Sequence, residues 1–132
     1  MATAGVVAAY QALPGEPDPG PALAILRARG VRILLPITLT DRDLEFREAD
    51  GTLVALAEAD VVVVPALAAD RHGHRLGRGG GSYDRALPRC RGDALVIAAV
   101  HATELLDAVP AESHDIRVAA VLAGADVVRV DA

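Results

Sequence analysis

Long apolar runs are the clearest feature of the hydrophobic pattern, and they predict buried strands. Val61–Val64 is β-branched throughout and is bounded by Pro65, which is typical of a strand with both faces covered. Gly5–Tyr10 and Ala94–Val100 predict two further apolar strands. These apolar runs therefore indicate a core built on buried strands.

A helix connects the first strand with the next one. Pro21 and Gly30 bound a helix over Ala22–Arg29, with proline at its start and glycine after its end. Val31–Leu35 then predicts a buried strand that Pro36 ends. A right-handed crossover makes the two strands of such a β-α-β unit parallel. We therefore expect a single three-layer α/β domain over residues 1–132, with a mainly parallel, Rossmann-like sheet.

The remaining segments predict shorter elements. Leu44–Arg47 alternates and is expected to pair with Thr52–Val54 as a hairpin about Asp50-Gly51. Ala102–Ala108 predicts a brief helix, followed by a loop over 111–115. Ile116–Val130 predicts two short strands that form an edge ribbon.

The segment RLGRGGGSYDR, residues 75–85, combines four glycines, three arginines and an aspartate. It follows the valine strand and precedes a short helix over Ser82–Leu87, with Ser82 as the expected N-cap. Without Cβ atoms, successive backbone N–H groups can point into one concavity, and a helix N-terminus there favours phosphate. Arg75, Arg78 and Arg85 could add charge-assisted contacts. A flexible surface loop is the alternative, but the flanking elements favour phosphate binding.

Composition narrows the class of function. The net charge of −5 and the three aromatic residues argue against a general nucleic-acid or membrane surface. Cys90 is the only cysteine, which suits a reducing compartment, so we expect a cytoplasmic protein. As a separate expectation, the protein is a monomer or a weak homo-oligomer. The sequence contains no lysine, so any grip on phosphate must come from arginine and backbone N–H groups.

Acidic and histidine side chains, which can bind ions or transfer protons, follow three of the predicted strands. Glu16 and Asp18 come after the first strand, Asp70 after the valine strand, and His101 and then His114-Asp115 after the third. Ligands bind outside the carboxyl ends of parallel strands in an open α/β sheet. We therefore expect these loops to converge on one site.

Two carboxylates near a phosphate cradle would suit Mg²⁺, which takes one or two carboxylates together with phosphate oxygens. Asp84 and Asp115 are the candidate ligands. Each has a structural alternative: Asp84 could simply favour the helix dipole, and Asp115 could form a turn. His72 and His74 could resemble a metal pair, but their spacing is weak geometry and no third ligand accompanies them.

The segment ADVVVVPALAADRHGHRLGRGGGSYDRAL resembles the signature region of the 5-formyltetrahydrofolate cyclo-ligase (5,10-methenyltetrahydrofolate synthetase) family. VPAESHDIRVAAVL resembles the second block of that family, and the first β-α-β unit fits as well, so the resemblance covers roughly residues 6–36 and 60–122. It implies ATP- and Mg²⁺-dependent cyclisation of 5-formyltetrahydrofolate to 5,10-methenyltetrahydrofolate, with release of ADP and phosphate.

The resemblance also implies roles for individual residues. Arg78 and Tyr83 would be catalytic, Asp84 and Asp115 would hold Mg²⁺, and Glu16 would contact the pterin side of the folate. The implied ATP-binding residues are Arg75, Leu76, Gly77, Arg78, Gly79, Gly80, Gly81, Ser82 and Tyr83, of which Gly79, Gly80 and Gly81 would also approach the substrate.

The sequence departs from the family pattern at two places. Family members usually have a helix bearing Lys and Arg before the first strand, and a Glu-Pro loop before the signature strand, for which Thr52–Ala59 leaves no room. Ser82 also replaces a loop tyrosine. We therefore expect a more open site and low activity. The alternatives are a non-catalytic nucleotide- or folate-binding relative and, by fold analogy, a sugar-phosphate isomerase-like enzyme.

Overall fold

The structure is a computed structural model that describes residues 5–77, 81–110 and 116–130. The strands in these ranges are β1 (Val6–Ala8), β2 (Arg32–Thr38), β3 (Leu44–Arg47), β4 (Val61–Pro65), β5 (Ala68–Asp70), β6 (Arg75–Leu76), β7 (Leu95–Val100), β8 (Leu105–Leu106), β9 (Ala120–Ala123) and β10 (Asp126–Arg129). The α-helices are α1 (Gly20–Ala28) and α2 (Ser82–Ala86), and short 3₁₀ helices lie at Leu56–Glu58, Leu87–Arg89 and Ala102–Glu104.

A seven-stranded sheet in the order β10-β9-β7-β4-β1-β2-β3 forms the centre of the molecule. Its five inner strands are parallel, and β3 and β10 run antiparallel at the two edges. The predicted α/β fold with a mainly parallel sheet is therefore confirmed. β1 lies between β2 and β4, so the strand order reverses there, which is where α/β sheets bind ligands.

Both faces of this sheet carry buried side chains. Leu23 of α1 packs with Val7 and Ile33 on one face. On the other face Val64 packs in a larger cluster that includes Leu87. Covered faces explain why the central strands read as continuous apolar runs rather than as alternating ones. No helix in the described ranges is long and apolar enough to cross a lipid bilayer.

β2 does not end at Pro36 as predicted but continues to Thr38. β1 pairs with β2 only as far as Leu34, so the end of β2 has a neighbour on one side alone, where Pro36 faces Phe46 of β3. Proline is tolerated in such a half-paired segment because its missing N–H does not break a ladder on both sides.

The expected hairpin between Leu44–Arg47 and Thr52–Val54 is reduced to one bridge. β3 pairs mainly with β2, and only Arg47 and Leu53 form an isolated antiparallel bridge. A neighbouring hydrogen bond runs from the N–H of Val54 to the carbonyl oxygen of Phe46 at 2.9 Å. β3 is therefore an edge strand of the central sheet, and the segment after it contacts the outer side of β3 through this bridge and this hydrogen bond.

The predicted helix over Ala102–Ala108 is wrong. After a single 3₁₀ turn the chain becomes β8, which runs parallel to β5 in a small sheet of order β6-β5-β8. A helix of that length is marginal alone, so strand pairing with a distant segment outweighs local preference. The predicted ribbon at the end is confirmed, because β9 and β10 pair antiparallel. The predicted loop over 111–115 lies outside the described residues.

Candidate active site

The loops after β1 and β7 meet beyond the carboxyl end of the sheet. His101 follows β7 directly, and its ring Nε2 lies 2.7 Å from the carbonyl oxygen of Gly15 in the loop after β1. The expected convergence of these two loops is thereby confirmed. The pair His114-Asp115, which the sequence assigned to the same place, lies outside the described residues.

The loop that carries Glu16 is held in a defined shape. The hydroxyl of Tyr10, two residues after β1, donates a hydrogen bond to the carbonyl of Pro17 at 2.6 Å. Leu13 and Glu16 close a turn, because the N–H of Glu16 donates to Leu13 and the N–H of Leu13 donates to Glu16 Oε1 at 2.7 Å. Gly15 has a φ of +88° in this turn, a conformation that favours glycine. The Glu16 carboxylate is therefore fixed at the loop.

Two tyrosines lie within the electrostatic influence of that carboxylate. Burial raises the pKa of Tyr10 to about 12, and the charges of Glu16 and Asp18 add to the rise. Burial also raises the pKa of Tyr83, with Glu16 adding to the rise and the Arg75 cation opposing it. The β1 loop thus lies near the start of α2, and both phenols keep their protons at neutral pH.

Arg75 on β6 provides the buried positive charge of the site. Its side chain is only 6% exposed, and its Nη2 donates to Asp84 Oδ1 at 3.2 Å. Its Cζ atom lies 5.8 Å from the centre of the Tyr83 ring, within the range of a cation–π contact. The guanidinium therefore occupies a fixed position at the start of the glycine-rich segment.

Asp84 differs from Arg75 in its exposure. Its side chain is 73% exposed, in the first turn of α2. The described residues contain no group of three His, Cys, Asp or Glu side chains that could hold a metal ion by themselves. An exposed carboxylate of this kind suits Mg²⁺ only when phosphate oxygens and water complete the coordination. The other predicted site residues Arg78, Gly79, Gly80 and Asp115 lie outside the described residues.

Ser82 does not cap α2 as predicted. Gly81 precedes the helix with a φ of +73°, and no side chain caps the helix there. Ser82 is the first helical residue, and its hydroxyl donates to the carbonyl of Arg42 at 2.6 Å. The Arg85 Nε–H also donates a hydrogen bond to Asp43 Oδ1, at 2.6 Å. The turn between β2 and β3 is therefore fastened to α2, a contact that no sequence signal indicated.

Asp70 does not join the convergent side chains. It is 1% exposed, and it accepts hydrogen bonds from the backbone N–H groups of His72, His74 and Val109. Burial favours a higher pKa for this carboxyl, but the hydrogen bonds outweigh burial and hold the pKa below its ordinary value. Asp70 thus stabilises the turn between β5 and β6, and its role is structural.

Comparison with known proteins gives a consistent assignment. A family model described as the 5-formyltetrahydrofolate cyclo-ligase family matches residues 47–124. A 5-formyltetrahydrofolate cyclo-ligase of Mycolicibacterium smegmatis is 41% identical over 139 residues, covering 88% of this chain and 72% of that protein. One from Escherichia coli is 28% identical, covering 90% and 78%. The NMR structure of Aquifex aeolicus 5,10-methenyltetrahydrofolate synthetase has the same fold, with a TM-score of 0.81, 24% identity and coverage of 98% and 73%.

Proposed function

The chain belongs to the 5-formyltetrahydrofolate cyclo-ligase family, and on that premise we propose an ATP- and Mg²⁺-dependent reaction carried out by a single domain over residues 1–132. In this reaction 5-formyltetrahydrofolate is cyclised to 5,10-methenyltetrahydrofolate, with release of ADP and phosphate. The observation that carries the proposal is the buried Arg75 guanidinium, held between the Tyr83 ring and Asp84 at the start of the glycine-rich segment. A buried cation at this position would attract the phosphates of ATP.

The proposed chemistry needs the formyl oxygen to become a leaving group. The terminal phosphoryl group of ATP moves to that oxygen, so a phosphorus–oxygen bond forms there as the bond to ADP breaks. The neighbouring folate nitrogen then attacks the formyl carbon and loses its proton, and phosphate leaves with the former formyl oxygen. The protein's part in both steps is positioning and charge neutralisation.

Residues of this chain have distinct parts in the proposal. Residues 75–83 would bind the ATP phosphates, with Arg78 and Tyr83 acting at the transferred group. Tyr83 can donate a hydrogen bond because a phenol is protonated at neutral pH, and burial raises its pKa further. Glu16 would accept hydrogen bonds from the pterin side of the folate, and Gly79–Gly81 would approach the formyl group.

Asp84 and Asp115 are the proposed ligands of Mg²⁺. The exposure of Asp84 supports this, because Mg²⁺ retains several waters and uses few protein carboxylates. When bound, the ion would neutralise part of the phosphate charge. Asp84→Asn should therefore remove the Mg²⁺ dependence of ATP binding, whereas Asp93→Asn, at another exposed carboxylate paired with an arginine, should not. Unchanged Mg²⁺ titrations of the Asp84 variant would contradict the assignment.

The direct test of function is purified protein with ATP, Mg²⁺ and 5-formyltetrahydrofolate, followed by the absorbance of the methenyl product. Product formation that requires ATP supports the proposal. Calorimetric titrations with each ligand distinguish the enzyme from a non-catalytic binding protein. Binding of ATP and folate without product would identify a non-catalytic relative and overturn the proposed reaction.

The glycine-rich segment can be tested separately. Arg78→Ala should weaken ATP binding by about 1.5–3 kcal/mol, the range for a hydrogen bond to a charged group. Arg27→Ala on α1 is the matched control, since it removes an arginine from outside the site. Equal ATP affinity of the Arg78 variant and the unchanged protein would exclude this loop from the nucleotide site.

A further inference from the structure

His101 makes a contact that none of the proposed roles uses. Its ring reaches the Gly15 carbonyl at 2.7 Å, although 86 residues separate the two positions. In the sheet, β4 lies between β7 and β1, so this contact bridges the carboxyl end of β4. It therefore joins the two sides of the region where the strand order reverses.

The backbone of His101 is itself held in place. Its N–H donates to Glu104 Oε1 at 2.7 Å, and its carbonyl accepts the N–H of Glu104 at 2.9 Å. The Gly15 carbonyl oxygen can only accept a hydrogen bond, so Nε2 is the donating ring atom. The ring hydrogen then resides on Nε2, where it can be donated to the Gly15 carbonyl.

Gly15 immediately precedes Glu16, so the contact acts on the proposed folate-binding carboxylate. Two further hydrogen bonds of this loop are local, from Tyr10 to Pro17 and between Glu16 and Leu13. Those bonds shape the loop, but they do not fix its position relative to β7. The His101 bond does, because it starts from a strand end on the far side of β4.

We propose that His101 is a positioning residue, whose Nε2–H holds the Gly15 carbonyl and thereby keeps the Glu16 loop in place for the folate. The folate part rests on the proposed function, whereas the hold on the loop does not. Preorganised loops improve affinity because less ordering is needed when the ligand binds. His101 should therefore affect folate binding and leave ATP binding unchanged.

The test compares His101→Phe, His101→Gln and the control His72→Phe in the full chain. His101→Phe keeps the bulk of the side chain but removes the donor, and should raise amide hydrogen exchange in the segment 11–18. It should weaken the calorimetric affinity for 5-formyltetrahydrofolate about fivefold, as expected for one neutral hydrogen bond, with ATP affinity unchanged. His101→Gln retains an N–H donor and should restore most of both effects, and His72→Phe should produce neither.

Three outcomes would overturn the inference. The first is unchanged exchange of the loop in His101→Phe. The second is an equal loss of ATP and folate affinity together with a lowered unfolding temperature, which would indicate a general structural role. The third is a ¹⁵N spectrum that places the ring hydrogen on Nδ1. If the unchanged protein binds no folate, the proposed function fails, but loop exchange and the ring hydrogen still decide whether His101 holds the loop.

Discussion

The two ends of the parallel strands use similar residues in different ways. At the amino end, Asp60 accepts the N–H groups of Gly5 and Val6, both at 2.9 Å, and pairs with Arg91. Arg91 also bonds Asp93 at 2.7 Å. These bonds tie together the starts of β1, β4 and β7. The arginine there completes a structural network.

At the carboxyl end, Arg75 is more deeply buried and contacts an aromatic ring and an exposed carboxylate. Two tyrosines with raised pKa values and the Glu16 loop surround the same region. We therefore expect a ligand at only one of the two arginine–aspartate pairs, the one that lies at the carboxyl end beside the glycine-rich segment.

The largest expected effect separates the two arginines. Arg75→Met should lower the rate of methenyl formation about 100-fold or more, since losing a charge-stabilising donor in an active site has this size. Arg91→Met should leave the rate per folded molecule unchanged, because its partners lie at the other strand end. Initial rates, normalised to folded protein by circular dichroism, measure this. Similar losses of rate in the Arg75 and Arg91 variants would contradict the proposed difference between the two strand ends.

A second pair of variants contrasts a buried and an exposed aspartate. Asp70→Ala leaves buried N–H donors without an acceptor and should lower the free energy of unfolding by about 3 kcal/mol. Asp84→Ala removes an exposed carboxylate that pairs with Arg75, and should lower the free energy of unfolding by no more than about 1 kcal/mol. Urea denaturation of both variants gives these values. A large destabilisation by the Asp84 variant would show that this carboxylate, proposed as a Mg²⁺ ligand, has a structural role.

The third prediction concerns pH and involves only the carboxyl end, where Tyr10 and Tyr83 lie. In the unfolded chain both phenols titrate near pH 10, whereas Tyr10 titrates near 12 in the folded protein and the pKa of Tyr83 is also raised. The folded state therefore retains protons that the unfolded state loses above pH 10. Stability should fall by about 1.4 kcal/mol per tyrosine by pH 11.

Two measurements check the tyrosine prediction. An absorbance titration should show no phenolate in the folded protein at pH 10, and urea denaturation should give lower stability at pH 11 than at pH 8. Normal titration of either tyrosine in the folded protein would mean that its phenol is not buried.

The smallest expected effect is a gain in stability. Arg42, in the turn fastened to α2, has a φ of +70°, which is unfavourable for a residue with a Cβ atom. Arg42→Gly should relieve this strain and raise the free energy of unfolding by about 1 kcal/mol. Arg47→Gly in β3 is the control and should destabilise. A loss of stability in the Arg42 variant would show that its side chain contributes more than the strain costs.

The elements that were predictable are those with a strong local signal. β4 and β7 follow from unbroken apolar runs, and α1 follows from Pro21 and Gly30. The small sheet of β5, β6 and β8 could not be predicted, because its strands have two or three residues and are defined by partners distant in sequence. The path of β2 through Pro36 depends on where its neighbour β1 ends, which composition does not reveal.

In the candidate site too, contacts between residues close in sequence were predictable, whereas contacts between distant residues were not. The glycine-rich segment brings Arg75, Tyr83 and Asp84 together within ten residues, so their association was foreseeable. The position of Ser82 predicts a helix cap, but its hydroxyl donates to the carbonyl oxygen of Arg42, 40 residues away. The contact of His101 with Gly15 likewise depends on strand order, which a single sequence does not specify.

The burial of Arg75 has a consequence for how the protein responds to its surroundings. A guanidinium group keeps its proton throughout the physiological pH range, so this positive charge cannot be switched off by acidity or alkalinity. Its small exposure also limits screening by dissolved salt. The contribution of Arg75 to the electric field at the start of the glycine-rich segment is therefore nearly constant. Between pH 5 and 8, the attraction of Arg75 for a bound anion would then change only with the ionisation of the anion itself.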